Sequence, residues 1–136
     1  MASEFRLSGN NLDTPDYLLR GVRPAITDAP ASIAYGQDFS IALLEPVEIS
    51  SACFIRLSAV THAFDMSQRH VALDFSQTDT QIDLAAVNDP NLAAPGHYML
   101  FVLDNNRVPS VAPIIQLVYA QSVREPPHSS AGQRCL

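Results

Sequence analysis

The chain has no lysine: its eight basic residues are all arginines, set against 14 acidic residues for a net charge of −6. Without a lysine amine, Schiff-base catalysis and the phosphate-binding P-loop are excluded, because each needs that group. The arginines are scattered, so the electrostatic footprint of a nucleic-acid binder is missing and no nucleic acid is expected as a partner. Long apolar runs are lacking too. The longest, Tyr98 to Leu103, falls far short of the roughly 20 residues that cross a bilayer, so it reads as a buried strand and no membrane partner is expected. Met1 to Leu12 mixes Glu4, Arg6, Gly9 and two asparagines, without the apolar core of a secretory signal. The two cysteines, Cys53 and Cys135, are expected to be unpaired, and no Asn-x-Ser/Thr acceptor occurs, so the residues leave the compartment open. The five glycines are too dispersed to cradle a phosphate, and no Gly-x-Ser-x-Gly elbow is present to raise a serine nucleophile.

What is present is enough apolar residue, 47% of 136, for one domain with a real core. Ten prolines cut the chain into strand-sized pieces and leave little room for a long helix. Strands are predicted near 17–19, 25–27, 32–35, 39–44, 52–57, 70–75, 81–84, 97–103 and 114–119. Between them, Tyr35-Gly36-Gln37-Asp38 reads as a tight reversal and Pro95-Gly96 as the centre of a type II turn, with Asp104-Asn105-Asn106 as a third turn. Alternation in 52–57 puts Cys53, Ile55 and Leu57 on one face, which is expected to be the core face, opposite Ala52, Phe54 and Arg56. Strands at this spacing predict an all-β fold, an immunoglobulin-like β-sandwich of about seven to nine strands, with a barrel as the alternative. The expected organisation is a flexible segment over 1–12, the sandwich over 13–120 and a loose polar tail over 121–136.

Histidine is the most versatile side chain available, and His62, His70 and His97 lie in or beside predicted strands. Neither a Cys-x-x-Cys nor a His-x-x-x-His pair accompanies them, which argues against a closed metal site. Asp13 with Asp16, and Glu45 with Glu48, fall on proline-rich loops where a solvated carboxylate is the default. The segment Val60-Thr61-His62-Ala63-Phe64-Asp65-Met66-Ser67-Gln68-Arg69 is a long excursion between two strands. Its His62 either presents an imidazole to a partner or a metal, or is a hydrogen-bonded loop histidine; the residues alone leave both open.

Four blocks in order carry a resemblance: Thr14-Pro15-Asp16-Tyr17-Leu18 followed by Arg23-Pro24-Ala25-Ile26; Ile55-Arg56 leading into Val60-Thr61-His62 and Gln68-Arg69; Ala94-Pro95-Gly96-His97-Tyr98 continuing to Val102; and Val108-Pro109-Ser110-Val111-Ala112. Together they span about residues 13 to 119 and resemble the C-terminal domain of the galactose oxidase and glyoxal oxidase family of copper radical oxidases. The resemblance implies an early-set immunoglobulin-like sandwich that docks against a Kelch propeller, in cis or in trans. It also implies a hairpin reaching into the propeller whose histidine, His62 here, is a copper ligand.

The family's other ligands and its tyrosine–cysteine radical cofactor lie on the propeller. Copper is therefore implied only in the full-length context, with none held tightly by this chain and no catalysis by it alone. Relatives of this kind are commonly extracellular. The competing expectation is a stand-alone structural or protein-interaction module. The sequence departs from the family pattern at His70, where a second arginine is usual, at His97, where an aromatic is usual, and at Arg107, where a glycine is usual. The last change suggests a turn with Asn105 or Asn106 in the left-handed region.

Overall fold

The computed structural model describes residues 15–120 apart from residue 66. The segment 1–12, the tail 121–136, Cys135, Asp13 and Met66 lie outside the described residues.

Among the described residues, short apolar runs separated by turn residues form eleven strands: β1 (Ile26–Asp28), β2 (Ser32–Ala34), β3 (Phe39–Leu43), β4 (Ile49–Arg56), β5 (Val60–Thr61), β6 (Phe64–Asp65), β7 (His70–Leu73), β8 (Phe75–Thr78), β9 (Gln81–Leu84), β10 (Gly96–Asp104) and β11 (Ile114–Val118). Alternation decides which face of each strand is buried. In β9, Ile82 and Leu84 are buried between exposed Gln81 and Asp83. In β10, Tyr98, Leu100 and Val102 point inward.

The strands assemble into a four-stranded sheet ordered β1-β3-β9-β8 and a five-stranded sheet ordered β2-β11-β10-β4-β7, with β5 and β6 forming a separate hairpin. All pairings are antiparallel except that of β11 with β2. The core lies between the sheets, with Ile41, Ile82 and Leu84 facing Phe54, Tyr98, Leu100, Ile115 and Leu117. Each such side chain contributes about 1.5–3 kcal/mol by leaving water. At the centre Phe39 stacks on Phe54 at 5.9 Å between centroids, and Phe54 meets Tyr98 at 5.5 Å. The result is the two-sheet sandwich that the strand spacing predicts.

Several local expectations are corrected. Tyr17 to Leu19 is not a strand: Asp16–Leu19 is a 3-10 helix, closed by the Leu18 amide donating to the Pro15 carbonyl and the Arg20 amide to the Tyr17 carbonyl. The run 70–75 is two strands rather than one. The chain leaves the five-stranded sheet at Leu73 and enters the four-stranded sheet at Phe75, while the Asp74 carbonyl accepts from the Ala85 amide.

The core face of β4 carries Ala52 and Phe54, with Phe54 wholly buried, and not Cys53 and Ile55. Arg56 pointed the alternation the wrong way. It shares the inner face but sits at the strand's end, where its guanidinium passes Gly96.

Gly96 is not the centre of a type II turn. It opens β10 with φ 150°, and a Cβ there would come within 3.4 Å of Arg56 Nη2. At the turn after β10 the left-handed residue is Arg107 itself, φ 60°, rather than Asn105 or Asn106. The turn is built around Asp104, whose carboxylate accepts from the Asn106 and Val108 amides at 2.8 and 2.9 Å.

Blocks far apart in sequence meet at Arg23. Its Nε donates to the Pro109 carbonyl at 2.9 Å and its Nη2 to the Ser110 carbonyl at 2.7 Å, while the guanidinium also lies 5.5 Å from the Tyr17 ring.

Candidate functional site

The excursion between β4 and β7 leaves the sandwich through a closed neck. The Arg56 amide donates to the Arg69 carbonyl at 3.0 Å, and the Leu57 amide to the His97 carbonyl at 3.0 Å. Arg69 Nη1 donates to the Asn91 and Leu92 carbonyls at 2.8 and 3.1 Å, which pins the exit of the excursion to the loop before β10.

Beyond the neck, Val60 pairs with Asp65 and Thr61 with Phe64, leaving His62 and Ala63 as a two-residue connection. Both have positive φ, 54° and 67°, the signature of a type I′ turn, which matches the twist of the flanking strands. That conformation suits Asn-Gly. For residues with a Cβ it costs on the order of 1 kcal/mol each, so the apex is strained where the histidine sits.

The hairpin carries an exposed apolar side chain on each face. Val60 shares a face with Asp65, and Phe64 lies on the opposite face; they are 63% and 74% exposed. His62 at the apex is exposed as well. The Asp65 carboxylate lies across the base of the two legs, where Oδ1 accepts from the Ala59 amide at 3.2 Å and the Ser67 amide at 3.0 Å.

The other sequence candidates do not join this site. His70 opens β7 and His97 lies near the start of β10, with β4 between those two strands. Among the described residues no three His, Cys, Asp or Glu side chains converge on one point. His62 is on neither β7 nor β10; it sits in the connection between β5 and β6. Asp16 pairs with Arg20 at 3.2 Å on the surface, and Glu48 accepts from Asn105 Nδ2 at 2.8 Å. Cys53 is free, and burial pushes its thiol up, which keeps it protonated and unreactive. Tyr35 and Tyr98 are likewise pushed up by burial, and their hydroxyls donate to the Ala93 and Ala94 carbonyls at 2.5 and 2.6 Å.

Cys53 belongs to a second feature, a groove of about 520 Å³ on the outer face of the five-stranded sheet, lined by Tyr17, Arg23, Cys53, Ala72, Phe101 and Leu103 among others. Its walls are mainly apolar side chains that a plain sandwich would leave facing water.

Two antiparallel-rich sheets enclosing one core, with a hairpin raised between β4 and β7, define an immunoglobulin-like sandwich of the early-set class. Residues 23–117 match the family model described as the galactose oxidase-like early set domain. The chain belongs to that family.

Its relatives include the aldehyde oxidase GLOX of Vitis pseudoreticulata, 31% identical in an alignment 117 positions long that covers 77% of this chain and 22% of the relative. A galactose oxidase of Gibberella zeae is 32% identical in an alignment 111 positions long that covers 76% of this chain and 16% of the relative. Among solved structures, a fungal alcohol oxidase of the AA5 family in complex with copper superposes with a TM-score of 0.67 at 29% identity, over 72% of this chain and 21% of that one. The chain thus spans about a fifth of the length of these multidomain oxidases.

Asp65 and Arg23 are the residues whose work the sequence reading missed. The Asp65-x-Ser67 spacing, at which an Asp carboxylate commonly caps the amide two residues on, was a usable signal for the first. Nothing local signalled the second, since its partners lie 86 and 87 residues away.

Proposed function

We propose that the chain, with its sandwich over 13–120, is the C-terminal domain of a galactose oxidase- or glyoxal oxidase-like protein. In this reading it docks against a Kelch propeller, in cis or in trans, and supplies one copper-ligand histidine, His62, without being catalytic alone. The observation that carries the reading is the hairpin: a strained apex presenting an exposed imidazole, on legs with apolar side chains exposed on opposite faces. A hairpin lying on its own domain would bury one face and wet the other. Apolar residues on both suit a hairpin enclosed by a partner. The groove on the outer face of the five-stranded sheet adds apolar surface for a partner to cover.

Family membership supports copper as the metal, since the related alcohol oxidase was solved with it. Imidazole nitrogen suits copper, and when bound the metal would supply redox chemistry. The part of this chain is confined to offering that nitrogen at the apex, keeping it clear of the sandwich and covering the partner's surface around it.

The test is calorimetric titration of copper(II) into the chain beside His62→Ala in a non-chelating buffer. Weak, low-specificity binding that disappears in the variant supports the assignment. Equal binding in both proteins, or none in either, sinks the copper role and leaves a structural or protein-interaction module.

A further inference from the structure

We propose that Asp65 is the positioning residue of the hairpin, the clamp that holds His62 at a fixed apex. Among its described residues the hairpin has little with which to hold itself. Each strand has only two residues, the turn carries His and Ala where glycine or asparagine is favoured, and its two large apolar side chains are exposed. A two-stranded ribbon of this length is not stable by its own pairing.

Between the ribbon and the neck, Asp65 supplies a further link. One carboxylate oxygen takes the Ala59 amide before β5 and the Ser67 amide after β6, joining the two legs beneath the turn. Both donors lie just outside the two residue pairs of the ribbon, where a backbone amide needs an acceptor. The clamp stands on this geometry. Its purpose, aiming the His62 imidazole, rests on the reading given under Proposed function.

The experiment is ¹⁵N relaxation and amide exchange on the full chain, comparing the native protein with Asp65→Ala and Asp65→Asn. In Asp65→Ala the order parameters of the His62 and Ala63 amides should fall from about 0.85 to below about 0.6. The Ala59 and Ser67 amides should exchange about tenfold faster, while Phe54 and Leu100 in the core keep their native values, showing that the sandwich is folded. Asp65→Asn retains an acceptor oxygen and should restore the native pattern.

Native-like mobility of His62 in Asp65→Ala, or failure of Asn to rescue it, overturns the assignment. Copper(II)-induced broadening of the His62 ring signals, recorded on the native chain, separates the two claims. If broadening is absent while the Asp65 effects hold, the copper reading falls and the clamp stands.

Discussion

The sandwich and the hairpin that rises from it are built on opposite terms. In the sandwich, Phe54 is fully buried against Phe39 and Tyr98, every strand has a partner, and no buried side-chain polar atom among the described residues lacks a hydrogen bond. In the hairpin, two short strands meet at positive-φ residues, and Val60 and Phe64 face solvent. The body buries its large apolar side chains and takes positive φ at non-glycine residues only at scattered turn positions such as Asp79 and Arg107, whereas the hairpin departs from turn preference and from burial together. Such violations are expected where a segment is kept for something other than the stability of its own domain.

The contrast is broken most severely from the core side. Phe54→Ala should destabilise the chain by about 3–5 kcal/mol, a large part of the stability of a domain this size, and should lower the midpoint of urea unfolding sharply. A smaller effect comes from alkaline pH. Burial raises the phenols of Tyr35 and Tyr98 in the folded state, so the unfolded chain ionises first. Stability is then fully present below the ordinary tyrosine value of about 10 and declines as pH rises through the folded values. Denaturant midpoints measured from neutral pH upward should show that loss. Tyr98 lies in the sandwich core and Tyr35 packs against it, so the fall reports on the body.

The smallest effect is expected from Phe64→Ala. In the isolated chain it should change stability by no more than about 0.5 kcal/mol, because that ring is mostly exposed already. A loss as large as that of Phe54→Ala would mean the hairpin packs on the body after all, and the contrast would collapse.

The strands were legible wherever one face was apolar and the other polar, as in Gln81-Ile82-Asp83-Leu84. They were misread where that distinction failed. Ala52-Cys53-Phe54-Ile55 is apolar on both faces because the outer face of that sheet forms the groove, so Arg56 became the only marker and it pointed inward. His70 to Phe75 reads as one run, because a chain that changes sheets at Asp74 keeps its hydrophobic residues on both sides of the crossing. At the site, His62 stood out through the length of the excursion and the family blocks around it. The clamp at Asp65 and the reach of Arg23 depend on which backbone groups come together in space, and a linear pattern does not encode that.

The pairing of β11 bears on how the chain is made. That strand lies between β10 and β2, and Arg23 reaches forward to the carbonyls of Pro109 and Ser110. During synthesis, the early strands therefore emerge from the ribosome with their inner faces bare and wait for residues near 118 before the five-stranded sheet can close. Ladders between distant segments form slowly, and waiting strands invite misplaced pairing. A nascent chain halted before β11 would expose the edges of β10 and β2 together, which makes the emergence of β11 the point at which this domain becomes safe from aggregation.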